Sequence, residues 1–189
     1  INIDRVSTGI YTVEFVGTDE WNVPGHVQVS AMGFNSNYCN VETSYGEWAE
    51  IRCYNRLGAL ANTHFNVIQI KPSAEEDSVA FARAGQPFTG SYTPNASFSR
   101  NPGGGAITIT RSGVGSYNVD FDGFSNIGAG GGNAQVSAFG LTNGRCHVSS
   151  WGFDNANVRC FNIFGNAADL SFNVLLTHAD LNDEALAYV

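Results

Sequence analysis

Four cysteines are the residues of this sequence most pointed toward chemistry. Cys39 and Cys53 lie about 14 residues apart, and Cys146 and Cys160 repeat that spacing. Each pair brackets a turn-like patch, Tyr45-Gly46-Glu47 or Gly152-Phe153-Asp154-Asn155. A hairpin centred on each patch sets its two cysteines opposite each other on antiparallel strands, within disulfide reach. Two bridges, Cys39 to Cys53 and Cys146 to Cys160, are therefore expected, each contributing about 3 kcal/mol through loop closure. The rival reading is a four-thiolate metal site, which would lack the close CxxC spacing such sites usually show.

The same two hairpin tips carry aromatic rings. Tyr45 and Trp48 sit at one, Trp151 and Phe153 at the other, each beside an acid, Glu47 or Asp154. Exposed rings next to polar groups suit sugar faces, by stacking and hydrogen bonding. The plainer expectation is that the rings fold back over the disulfide and cap the core. Oxygen-rich loops offer a second ligand class. Glu75-Glu76-Asp77 and Asp180, Asp183 and Glu184 fall in corresponding loops, and Asp120 and Asp122 stand two apart on one strand face. Such clusters can hold calcium in extracellular β-domains, although no EF-hand pattern is present. Enzyme signatures are missing: there is no HExxH, no GxSxG and no GxxxxGK[ST]. His26, His64, His147 and His178 show no ligand spacing, so no catalytic or metal-binding residue is assigned.

These groups sit in a chain of 189 residues with a net charge of −8 and few charged side chains, 14 %. An acidic surface does not displace counterions from phosphates, which argues against a nucleic-acid partner and against docking on anionic lipid. No apolar run approaches the roughly 18 to 20 residues of a membrane span. Lys71 is the only lysine, Gly and Asn abound, and the chain starts at Ile1. With paired cysteines this composition predicts a mature protein of an oxidising compartment, secreted or at the cell surface.

An internal repeat sets the architecture. Gln28-Val29-Ser30-Ala31 returns as Gln135-Val136-Ser137-Ala138, Arg52-Cys53 as Arg159-Cys160, and Phe65-Asn66-Val67 as Phe172-Asn173-Val174. The front of each copy aligns too, Arg5, Gly9 and Tyr11 with Arg111, Gly115 and Tyr117. Alternating apolar and polar residues, as in Ile10-Tyr11-Thr12-Val13-Glu14-Phe15, separated by Gly, Asn and Asp clusters, predict short strands at sandwich spacing. The expected fold is all-β: two tandem Ig-like antiparallel sandwich units of about seven strands each. The first unit covers positions 1–82, a Pro/Gly-rich extended linker positions 83–106, and the second unit positions 107–189. Positions 74–84 and 180–189 have helix-forming composition but are read as a loop and a final strand. Positions 91–99 of the linker can add an edge strand to the second unit.

The second unit with its linker carries Tyr92, Pro94, Asn101 and Gly103-Gly104, then Arg111, Gly115, Tyr117-x-Val119-x-Phe121 and Gly123. Arg145-Cys146, Val158-x-Cys160-Phe161, Gly165 and Phe172-x-Val174 follow. In this run it resembles a repeat of secreted bacterial proteins whose function is largely uncharacterised. The first unit departs from it where Tyr38 replaces Arg145 and where Trp21 to Pro24 replace the glycine run. The resemblance implies a secreted module and carries no catalytic residues. The ends add one expectation. If the linker completes the second unit, the first unit lacks an equivalent and exposes a bare sheet edge, open to strand addition from another molecule. A piece cut from a longer array explains the same ends. The functional expectation is a non-enzymatic structural or adhesive module that self-associates head to tail. The alternative is a lectin-like glycan binder using the hairpin tips.

Overall fold

A computed structural model describes residues 1–18, 25–71, 78–124 and 132–178. Its regular elements are strands, joined by turns that include a 3-10 turn over Ala96–Phe98. The alternation read from the sequence is what each strand uses. Ser116–Phe121 buries Tyr117, Val119 and Phe121 and turns Asn118 and Asp120 outward.

The first repeat forms two sheets. β1 (Asn2–Ser7), β2 (Ile10–Glu14), β4 (Tyr38–Tyr45) and β5 (Trp48–Tyr54) make a four-stranded sheet in the order β1-β2-β5-β4. β3 (His26–Met32) and β6 (His64–Ile70) make a two-stranded sheet facing it. Val13, Val41, Ile51 and Val27 fill the space between. The second repeat copies this plan. β10 (Ile107–Gly113), β11 (Ser116–Phe121), β13 (Arg145–Trp151) and β14 (Asn155–Phe161) match the larger sheet, and β12 (Gly132–Ala138) with β15 (Phe172–His178) the smaller. Even the register breaks recur, after Arg5 and Arg111 and after Val41 and Val148. All pairings between these strands are antiparallel, so the all-β sandwich fold stands.

Among the described residues the second unit has three strands without a counterpart in the first. β7 (Val79–Ala84) pairs with β15, from Val79 opposite Thr177 to Ala84 opposite Phe172. β8 (Ser91–Tyr92) adds to the edge of β10, and β9 (Ser99–Arg100) to the edge of β7. The linker is thus extended, as its prolines require, and supplies the edge strand expected over positions 91–99. The boundary expected at position 82 falls inside β7. That strand follows β6 in the chain, yet Ala80, Ala82 and Ala84 are buried in the core of the second unit.

Candidate functional site

Both disulfides form as cross-strand bridges, Cys39 to Cys53 and Cys146 to Cys160, each with Cα atoms 4.0 Å apart. That closeness is typical of non-hydrogen-bonded cross-strand pairs. The thiolate metal reading falls with it, because no cysteine is free.

The tip aromatics do not cap these bridges. Tyr45, Trp48, Trp151 and Phe153 are 50 to 68 % exposed. The reason is reach. Cys39 lies six residues along β4 from Tyr45, and a strand rises about 3.3 Å per residue. The disulfide is at the base of the hairpin and the rings are at its end. At the second tip Gly132, Trp151, Gly152, Phe153 and His178 line a cavity of about 200 Å³. His178 stacks on Phe124 with ring centres 4.0 Å apart. Its Nε2 bonds the Phe153 carbonyl, which leaves the buried Nδ1 without a hydrogen-bond partner. No spacing in the sequence joins His178 to this tip. The repeat is the only clue, and there Lys71 stands at the equivalent place and reaches the Thr18 carbonyl instead.

The acidic loops at Glu75 to Asp77 and at Asp180, Asp183 and Glu184 lie outside the described residues. Asp120 is described, and its carboxyl is pushed up by burial and then by Asp154 and Asp122 nearby. Among the described residues no group of three or more His, Cys, Asp or Glu is arranged to hold a metal.

One of the recurring arginines, Arg111, holds a turn in place. Arg111 donates twice to Asp169, at 2.9 and 2.8 Å, and Asp169 also accepts from the Gly115 N–H and the Tyr117 hydroxyl. These donors, the guanidinium first, hold the Asp169 carboxyl down at about 2, against desolvation. Asn62 takes that position in the first unit, accepting from the Gly9 N–H at 3.0 Å. Arg52 lies between Glu42 and Glu50, on the face opposite its neighbouring cysteine.

The junction between the units buries a network of polar side chains, His26, Gln28, Asn40, Ser137 and Asn173. Ser137 accepts from the Val29 N–H at 3.0 Å, and Asn173 Nδ2 donates to the Val27 carbonyl at 3.1 Å. Side chains of the second unit thus cap the free edge of β3. Gln28 Nε2 donates to the Asn173 carbonyl and lies 2.7 Å from His26 Nε2. His26 is 2 % exposed, its ring 5.0 Å from that of Phe81 in β7. Burial, then the Arg83 charge, lowers its pKa from 6.5 to about 3, so the ring is neutral and accepts from Gln28. Arg83, in β7, is sandwiched between Phe98 and Phe139 at 4.0 Å from each ring centre, and burial lowers its pKa to about 10. Asn40 closes the junction with bonds of 2.9 Å to the Thr142 and Gly144 carbonyls.

The two outer edges of the first unit have no such strand cover among the described residues. β1 pairs with β2 alone and is exposed along its whole length, and β6 pairs with β3 alone. Among the described residues no helix is long and apolar enough to cross a membrane. Comparison with protein-family models, curated proteins and solved structures gave no match to this chain.

Proposed function

We propose that this chain is a non-enzymatic extracellular structural or adhesive module whose units join end to end, into a filament or a surface layer. One observation carries the reading: β7 leaves the first repeat and completes the smaller sheet of the second. A strand passed forward from one unit to the next is a joint that can be repeated, and a repeated heterologous joint builds an open assembly. The two intramolecular disulfides suit an oxidising compartment. The test is light scattering after size exclusion, with electron microscopy of the same native sample, with and without calcium. Extended particles or concentration-dependent oligomers are expected. A monomer at every concentration in both buffers would overturn the assembly reading.

A lectin-like role is the second reading, supported by the exposed tip rings and the His178-lined cavity. Rings presented beside polar groups suit a sugar face and its hydroxyls. Trp48→Ala and Trp151→Ala test it on a glycan array. Both chains should keep wild-type stability to within about 1 kcal/mol, because the rings are already half exposed. Glycan binding lost in the variants would support the lectin; no glycan bound by the wild type would end it.

A further inference from the structure

The edge of β6 is the place where the two units differ most. In the second unit the equivalent strand, β15, lies between β12 and β7, and all seven of its residues are buried. In the first unit β6 has β3 on one side and no described strand on the other. Ile68 is 41 % exposed where its counterpart Leu175 is 2 % exposed. A groove of about 310 Å³ runs beside it, walled by Ile1, Phe15, Val67 and Ile68. An apolar strand with an unpaired edge is a template for one more strand.

The sequence contains a strand of the right type. Continued past β15, the repeat aligns Ala185-Leu186-Ala187-Tyr188-Val189 with Ser78-Val79-Ala80-Phe81-Ala82, which holds the first four residues of β7. Building on the scaffold reading above, we infer that residues 186–189 of one copy add to the open edge of β6 in a second copy, in the place β7 takes on β15.

The register follows from the observed pairs. Ala82 opposite Val174 becomes Val189 opposite Val67, Phe81 opposite Leu175 becomes Tyr188 opposite Ile68, and Ala80 opposite Leu176 becomes Ala187 opposite Gln69. The backbone is oriented for it. Val27 and Val29 of β3 point their polar backbone groups away from β6, toward Asn173 and Ser137. Their partners Gln69 and Val67 are therefore non-hydrogen-bonded pairs with β3, and aim their own N–H and C=O at the open edge. A correlated exchange supports the same seat. Phe81 packs on His26 in the described junction; the repeat replaces Phe81 by Tyr188 and His26 by Asn133. Asn133 Oδ1 is buried with no hydrogen-bond partner, and Tyr188 brings a hydroxyl donor to that side.

The test is a directed crosslink between copies. The native cysteines are all paired, so one added thiol per chain is the only reactive one. Chains carrying Ile68→Cys and chains carrying Tyr188→Cys are mixed under mild oxidation and run without reductant. An in-register heterodimer is expected, at least about tenfold above that formed with Asn66→Cys in place of Ile68→Cys, whose site is two residues off register. Ala187→Pro on the Tyr188→Cys chain removes a ladder N–H and should abolish the product. Equal yields at the two acceptor sites would overturn the inference. So would closure of an Ile68→Cys/Tyr188→Cys double variant within one chain. The outcome separates from the scaffold reading. Filaments of the wild type without the in-register crosslink would remove only this donor strand. The crosslink without extended particles would keep the docking and remove the filament.

Discussion

Acid should loosen the unit junction through one side chain, His26. In the folded chain its pKa is about 3, against an ordinary 6.5 in the unfolded chain. Between those values the unfolded state binds a proton that the folded state does not. Stability from this group is therefore complete above pH 6.5 and falls as the pH drops toward 3. Each pH unit in that window is worth about 1.4 kcal/mol, so roughly 3 kcal/mol is gone at pH 4.5. Other groups titrate over the same range, and a comparison with His26→Asn cancels them, since Asn is the residue of the second repeat. Urea unfolding of both chains, followed by tryptophan fluorescence, is measured at pH 7.5 and at pH 4.5. The variant should be the less stable at pH 7.5, having lost the packing on Phe81. At pH 4.5 its deficit should shrink by the whole of that proton-linked difference, or reverse. A deficit equal at both pH values, within the scatter of repeated unfolding curves, would refute a buried neutral His26.

Three further outcomes follow from the structure. Asp169→Ala leaves the Gly115 N–H and the Arg111 guanidinium without their acceptor, while the Tyr117 hydroxyl keeps the Pro87 carbonyl, and should cost about 2 to 3 kcal/mol in denaturant unfolding; Asp169→Asn, which imitates Asn62, should cost less. Cys39→Ser with Cys53→Ser should lower stability by about 3 kcal/mol, and dithiothreitol should then shift the unfolding midpoint less in this double variant than in the wild type. Gly115→Ala forces a side chain onto φ +62°, with its Cβ 2.4 Å from the Cys160 carbonyl oxygen. Left-handed strain alone costs about 1 to 2 kcal/mol, and the contact adds to it, so the melting temperature should fall by several degrees.

Strands and disulfides are legible because both depend on near neighbours in the sequence. Period-two alternation marks Tyr117, Val119 and Phe121 as inward, and a hairpin of fixed length decides which cysteines meet. The repeat discloses two units, but a repeat gives a period and not a phase. Nothing in Val79 to Ala84 says whether the strand turns back onto β6 or goes forward to β15. That choice is made by shape at the junction, where Phe81 meets His26 and Arg83 meets Phe98 and Phe139. Asp169 escapes notice for a related reason. Its partners Arg111, Gly115 and Tyr117 lie far away in the chain, and the first unit has Asn62 there, so residue identity does not repeat where the role does. The tip aromatics announce their type but not their distance from the disulfide, and distance leaves them exposed.

The forward pass of β7 also sets a delay in the life of each new chain. On the ribosome β7 is made well before β15, the strand it must pair with. With on the order of 90 residues between them and roughly 5 to 20 residues added per second, it waits on the order of 5 to 20 seconds. Through that interval Ala80, Phe81 and Ala82 have no sheet to enter, and the open flank of β6 is the nearest surface that resembles their destination. Pairing there would be a fold closed on one unit, with the wrong neighbour and the correct alternation. Chains translated more slowly through positions 107–171 should therefore yield more of the misjoined species, a property of timing that the finished sandwich no longer displays.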